Sequence, residues 1–310
     1  MSQLKPNVSL AEVNEVLHRF WGKKAQDIVA AEGGNMSSVY FFAVDGKRYV
    51  IRFSSLEDAF DREQQIAALL TSQEIPYPKI WGIGKAGDFT YCVSERAEGI
   101  VFADLQPERK AALLPEIIHV ITKMNQIELG ETTGFGPMIG RYNGEFASWE
   151  QFVTSFYGED QRGTFWENWH ELFHSTCLER DVFEEIYTRM IACSAYNESH
   201  RHFVHNDCHP WNIISDGYRI TGIIDAGFLY GDFMIDIASF EDAVPGEDVA
   251  EAFRVYYEES GKPIVHFEER LLGARYFKGL DALRFYAKMG WNDAYEQLRD
   301  RLLLLPKGAI

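Results

Sequence analysis

The stretch from His202 to Asp236, HFVHNDCHPWNIISDGYRITGIIDAGFLYGDFMID, constrains this chain more than any other. The apolar pair Phe203-Val204 runs into the polar His205-Asn206-Asp207, so a strand ends where Asp207 begins a loop. Asn212 closes that loop. Asn212 to Ser215 and Arg219 to Ile224 then read as two strands joined by the turn pair Asp216-Gly217. Asp225 ends the second. A strand end, a short loop and a tight hairpin therefore hold three polar side chains at set offsets. Asn212 lies five positions after Asp207, and Asp225 thirteen after Asn212.

The remaining pattern divides in two. Ser9-Leu10-Ala11-Glu12 is a capping box, and it opens a helix with Leu10, Val13, Val16, Leu17 and Phe20 on one face. Strand-like runs follow at 27–31, 39–44 and 47–53, the last two joined by Asp45-Gly46. A helix is expected over 56–72, stopped by Pro76 and Pro78. Two further strands, 79–84 and 89–96, flank the turn Lys85-Ala86-Gly87-Asp88. The first hundred residues thus read as a five-stranded, mostly antiparallel sheet. Beyond Gly99 helical patterns dominate, at 107–126, 148–157, 164–177 and 181–196, then to the end with Gly261 and Pro263 as interruptions. Gly134-Phe135-Gly136-Pro137 reads as a loop. In this half the only convincing strands are those of the opening stretch. The fold class expected is α+β, with an N-terminal lobe over 1–97 and a mainly helical C-terminal lobe over 98–310.

At 310 residues with 46% hydrophobic content, the chain can bury the cores that two lobes need. No apolar run approaches a membrane span, and the first residues lack a signal-peptide pattern. The four cysteines (Cys92, Cys177, Cys193, Cys208) have no metal-ligand spacing. They are expected as reduced thiols in a cytoplasmic protein. A formal charge of −17 argues against a nucleic-acid partner. It suits a cationic small-molecule acceptor, although solubility alone would account for it equally well.

Asp207, Asn212 and Asp225 follow the order used in kinase-type phosphoryl transfer: a base for the attacking hydroxyl, then two metal ligands. Singly, each is well explained as a turn or cap residue. As a set they fit a catalytic base with two oxygen ligands for Mg²⁺, which takes its remaining ligands from phosphate and water. His205 and His209 are expected to be loop residues, with His205 bracing the loop. Asp236 is expected to reach back and hold it, and Asp232 to be structural.

In the first half, Gly33, Gly34, Ser37 and Ser38 lie in a loop able to offer N–H and hydroxyl donors to phosphates. It is not a G-x-G-x-x-G pattern, and a plain turn fits as well. Arg52 stands on a strand where a cation could pair with the α/β phosphates. Glu63, eleven positions on, is its candidate partner, with Glu57 and Asp61 as competitors. Ser94, Glu95, Arg96 and Ala97 end the last strand, where backbone groups could meet an adenine, with Ile51 and Val93 as apolar walls.

These blocks resemble the aminoglycoside phosphotransferase family, relatives of the protein kinases, and within it the branch that acts on hygromycin. The resemblance rests on 49–52 (YVIR), 90–99 (TYCVSERAEG), 133–137 (TGFGP) and 202–225, and spans roughly residues 25–240. It implies a bilobal kinase-like fold, ATP with Mg²⁺, and phosphorylation of a small-molecule hydroxyl. Asp207 becomes the base, Asn212 and Asp225 the metal ligands, and Arg52 the phosphate-binding cation. Lys is commoner there in the wider family, but the hygromycin branch shares the Arg. Cys208-His209-Pro210-Trp211 and Ala226-Gly227 depart from the resistance enzymes, so the acceptor is open. The function expected is an ATP-dependent O-phosphotransferase, an aminoglycoside kinase of the hygromycin kind acting as a monomer or weak dimer; antibiotic resistance would follow only from such an acceptor. The alternatives are a metabolic kinase for a sugar, amino alcohol or macrolide, and a pseudokinase that binds nucleotide without turnover.

Overall fold

The computed structural model describes residues 5–31, 37–139, 142–158, 161–162 and 164–307. Two compact units emerge. The first comprises Met1–Val101 with Ile213–Ile224, the second Phe102–Asn212 with Asp225–Ile310. The first unit therefore runs past residue 97 and takes back one hairpin from the middle of the chain.

In the first unit, helix α1 (Leu10–Trp21) starts at the expected capping box. The Ser9 hydroxyl accepts from the Glu12 N–H, and the Glu12 carboxylate accepts from the Ser9 N–H at 2.7 Å. Strands β1 (Gln26–Ala30), β2 (Ser38–Val44) and β3 (Lys47–Ser54) follow. Asp45 and Gly46 both adopt positive φ, 51° and 75°, as a two-residue hairpin turn requires. After α2 (Glu63–Ser72) come β4 (Ile80–Ala86), β5 (Phe89–Glu95) and the short β6 (Ile100–Val101). The main sheet is five-stranded and antiparallel, in the order β1-β2-β3-β5-β4, as expected. Alternation along β2 buries Tyr40, Phe42 and Val44. They join Val13, Val16 and Leu17 of α1 with Ile51, Phe53 and Val93 in one core.

The helix expected from residue 56 begins only at Glu63. Ser54 Oγ accepts from the Leu56 N–H at 3.1 Å, and Thr90 Oγ1 donates to the Leu56 carbonyl at 2.8 Å. These side chains satisfy main-chain groups that a helix would otherwise use, and residues 57–62 form turns instead.

The second unit begins with α3 (Pro107–Asn125), then β7 (Phe135–Ile139), β8 (Asn143–Phe146), α4 (Trp149–Ser155), the single turn α5 (Leu172–Ser175), α6 (Arg180–Asn197) and β9 (His202–Val204). Strands β10 (Ile213–Ser215) and β11 (Ile220–Ile223) form the returning hairpin, and β10 pairs with β6 in the first unit. The approach there is close. Gly99 has φ 112°, and a Cβ on it would lie 1.9 Å from the Ser215 carbonyl oxygen. The second unit resumes with β12 (Leu229–Gly231), α7 (Met234–Phe240), α8 (Val249–Glu259), α9 (Phe267–Met289) and α10 (Asn292–Leu304). Helix α9 packs against α6, α7 and α10.

Two expectations for this half are corrected. The segment read as a loop at 134–137 belongs to a four-stranded sheet, β8-β7-β12-β9, in which Leu229 pairs with both Pro137 and Val204. Its strands are too short to show periodicity, and their partners are distant in sequence. The helix expected over 164–177 is a run of turns and short helical pieces. Asn168 takes a left-handed conformation, φ 57°, which breaks the helix. Rings of this segment instead cover Arg284 of α9, which lies 4.2 Å from the Trp166 and 4.8 Å from the Trp169 ring centroid.

Candidate active site

The site in the second unit is built on Asp236, a wholly buried carboxylate in the first turn of α7. Its Oδ2 accepts from the His205 N–H at 3.0 Å and its Oδ1 from the Asn206 N–H at 2.9 Å. Asn125 of α3 donates to the same carboxylate at 2.8 Å and to the Phe203 carbonyl at 3.0 Å. The end of β9 is thereby fixed from beneath. Burial pushes the Asp236 carboxyl up to about 6, while Asn125 and the two backbone N–H groups pull it down.

Above this anchor the chain turns sharply. Asn206 has φ 66° and Asp225 φ 54°, both left-handed. The two turns are joined, because the Gly227 N–H donates to the His205 carbonyl at 2.9 Å. A Cβ at Gly227 would come within 3.2 Å of Asn206 Nδ2, so a larger residue there would press on the Asn206 side chain. His205 braces the loop as expected, its Nδ1 lying 3.3 Å from the Asp207 N–H.

Asp207 and Asn212 meet directly. Asn212 Nδ2 donates to the Asp207 carbonyl at 3.0 Å and to Asp207 Oδ2 at 2.9 Å. Asn212 ends a 3-10 turn (Pro210–Asn212) and is buried, whereas the Asp207 side chain is half-exposed. His209 Nε2 lies 3.4 Å from Asp207 Oδ2, and Lys278 Nζ of α9 lies 4.0 Å from Oδ1. Burial works against charge on Asp207. The hydrogen bond from His209 and the charge of Lys278 outweigh it and hold the carboxyl below its ordinary value. The group is therefore anionic at neutral pH and able to accept a proton.

Asn212 commits its amide nitrogen to Asp207, so its carbonyl oxygen is the atom suited to a cation. Asp225 is exposed. A neutral amide oxygen and a carboxylate oxygen are each donors of the hard type that Mg²⁺ prefers. Among the described residues no group of three or more His, Cys, Asp or Glu is arranged to hold a metal ion.

Asp232 stands apart from this chemistry, as expected. Arg270 Nε and Nη2 each lie 2.7 Å from one of its oxygens, and Asn197 adds a third hydrogen bond at 2.7 Å, all buried.

In the first unit, Arg52 pairs with Glu63, the partner expected, and both side chains are largely buried. The guanidinium also lies 5.2 Å from the Phe60 ring centroid and 3.6 Å from Cys92 Sγ. Glu57, the competitor, pairs with Lys85 instead. Ser38 is buried and its hydroxyl donates to the Pro6 carbonyl, so that hydroxyl is not a phosphate donor here. Ser37 lies beside it at intermediate exposure, and Gly33 and Gly34 fall outside the described residues. Ser94 is buried in β5 between Val50 and Ile80. The Glu95 N–H donates to the Lys79 carbonyl at 2.9 Å and the Arg96 N–H to the Arg48 carbonyl at 3.2 Å. The Arg96 guanidinium stacks 3.9 Å from the Phe41 ring centroid. Ala97 faces Gly222, where a Cβ would come within 2.6 Å of its own.

Three residues of the site escape sequence reasoning. His209 was expected to be a plain loop residue. Asn125 and Lys278 lie on helices far away in sequence, with no local signal to single them out.

The chain is similar to known proteins over most of its length. It is 26% identical to hygromycin-B 4-O-kinase of Escherichia coli over 237 residues, 76% of this chain and 67% of that one. A crystal structure of aminoglycoside phosphotransferase APH(4)-Ia superimposes with a TM-score of 0.79 at 23% identity, covering 97% of this chain and all (100%) of that one. A ternary complex of a thermostable APH(4)-Ia mutant with ADP and hygromycin B gives 0.78 at 23% identity, over 96% and 99%. The APH(3'')-Id enzyme of Streptomyces rimosus gives 0.59 at 16% identity, over 88% and 99%. The model of the phosphotransferase enzyme family matches residues 27–271, and with the fold and the Asp207 loop this places the chain in that family.

Proposed function

We propose that this phosphotransferase moves the γ-phosphate of ATP to a hydroxyl of an aminoglycoside of the hygromycin class. The observation that carries the reaction is the Asp207 carboxylate, anionic and half-exposed on a loop fixed by Asp236 and Asn212. Similarity to hygromycin-B 4-O-kinase supports the acceptor, and the charge of −17 suits a cationic one.

Asp207 accepts the hydrogen bond of the acceptor hydroxyl, orients its oxygen for attack, and takes the proton as the new O–P bond forms and the bond from the γ-phosphorus to the leaving ADP breaks. Because hydrogen bonds to Asp236 and from Asn212 already hold the loop, little reorganisation remains for the reacting step. Arg52, oriented by Glu63, takes the α/β phosphates. Gly33, Gly34 and Ser37 supply further phosphate donors, and residues 94–97 border the adenine, with the Glu95 and Arg96 N–H groups already paired within the first unit. The Asn212 carbonyl and the Asp225 carboxylate would hold Mg²⁺, which when bound neutralises phosphate charge. All four cysteines are thiols rather than disulfides, which suits the cytoplasm. Among the described residues no helix is long and apolar enough to cross a membrane.

The test is an acceptor panel with ATP and Mg²⁺, read by mass detection of phosphorylated product. Phosphohygromycin supports the reading. Turnover only with a sugar, amino alcohol or macrolide moves the acceptor to a metabolic or other class. Nucleotide binding with no product on any acceptor makes the chain a binding protein.

A further inference from the structure

We propose that Lys278 of α9 is a positioning residue for phosphoryl transfer, holding the Asn206–Asp207 segment so that the base keeps its aim. The proposal rests on the assignment of Asp207 as base.

The segment is gripped from two sides. Its amides, those of His205 and Asn206, are fixed by Asp236. Its carbonyl, that of Asn206, accepts from Lys278 Nζ. Asn206 is held in a left-handed conformation that an asparagine adopts at some cost, so the local backbone alone does not secure it. The same ammonium lies 4.0 Å from Asp207 Oδ1, while Oδ2 is the oxygen bound by Asn212. Oδ1 is thus the carboxylate oxygen that Asn212 does not bind, and Lys278 sits beside it.

The surroundings leave Lys278 to this task. It lies in the wall of a cavity of about 400 Å³ formed by α7, α9 and α10. The two carboxylates of that wall are engaged elsewhere, Glu241 with Arg275 at 2.7 Å and Asp242 with Arg301. The Lys278 side chain is only 21% exposed, and a largely buried ammonium needs partners. It finds them in the Asn206 carbonyl and Asp207.

The test compares Lys278→Met and Lys278→Arg with Asp207→Asn and the double variant Asp207→Asn/Lys278→Met. Hygromycin B is the acceptor, and slow ATP hydrolysis with water as acceptor is the second readout. Lys278→Met lowers kcat by about 10²-fold, the scale of a misplaced catalytic group. KM for ATP stays within about twofold, because the residue does not touch nucleotide. Lys278→Arg, which keeps a cationic donor, recovers much of the loss. In the double variant the losses do not add, because Lys278 acts through Asp207. Full kcat in Lys278→Met with an inactive Asp207→Asn overturns the Lys278 assignment alone, as do additive losses. An active Asp207→Asn overturns the base assignment itself. Should Lys278→Met fail to fold, Lys278→Gln, too short to reach the Asn206 oxygen, carries the same comparison.

Discussion

Asn212 turns its amide nitrogen onto Asp207, 3.0 Å from the main-chain oxygen and 2.9 Å from Oδ2. A residue assigned to the metal thus also positions the base, and the two assigned ligands are not equivalent. In Asn212→Ala, kcat falls by about 10²-fold and saturating Mg²⁺ does not restore it, because Asp207 has lost its partner. In Asp225→Asn the loss is mainly in Mg²⁺ affinity and raised Mg²⁺ restores part of the rate. Steady-state rates over a Mg²⁺ titration separate the two.

Asp207→Ala removes the proton acceptor without touching the residues assigned to nucleotide. The expected loss in kcat is about 10²–10⁴-fold, the usual contribution of a positioned base. Affinity for a fluorescent ATP analogue stays at the wild-type value.

Asp236 is expected to make the enzyme acid-sensitive. Its carboxyl titrates near 6 in the fold, whereas Asp207 is held below its ordinary value. As pH falls through about 6, Asp236 gains a proton and grips the His205 and Asn206 amides less firmly, while Asp207 is still charged. The kcat–pH profile therefore has an acid limb near 6, and Asp236→Asn is slow and lacks it. Stability moves the other way, because the folded pKa lies above the ordinary 3.8. The contribution is fully present below about 4 and is lost as pH rises to about 6, a change of up to about 3 kcal/mol. Urea unfolding from pH 4 to 7 shows this slope in the wild type and not in Asp236→Asn.

Arg270 and Asp232 form a pair with side-chain exposures of 2% and 0%. Removing one partner leaves a buried charge uncompensated. Arg270→Met is expected to cost about 3–5 kcal/mol in denaturant unfolding. Asp232→Asn added to it returns part of that loss, because the orphaned charge is gone. Most of the loss seen in the single variant is the stranded carboxylate rather than the net worth of the pair.

Glu63 orients Arg52 within the first unit. Glu63→Gln removes the charge that holds the guanidinium, and a lost charge-assisted hydrogen bond is worth about tenfold or more. KM for ATP is expected to rise by that factor in initial-rate measurements, with cooperative unfolding retained.

The sequence by itself determined what depends on near neighbours along the chain. Alternation along 39–53 and the Asp45-Gly46 turn specify the hairpin at the centre of the first sheet. The Ser9–Glu12 box starts α1, and the Asp207–Asn212 spacing specifies a loop that brings these two side chains together. For Arg52 the sequence narrowed the partner to Glu63 with Glu57 and Asp61 as competitors, and the fold chose Glu63. Tertiary structure decided the rest. Strands of three to five residues, such as β9 and β12, exist only because distant segments satisfy their hydrogen bonds. The helix starts late, at Glu63, where Ser54 and Thr90 take up both backbone groups of Leu56. Asn125 and Lys278 join the site because folding brings them beside Asp236 and Asp207, and His209, two residues from Asp207, because the loop turns its ring back to Oδ2, so burial and charge fix what each carboxyl does. No local pattern records those distances, since the energy that sets them comes from contacts made only once the chain has folded.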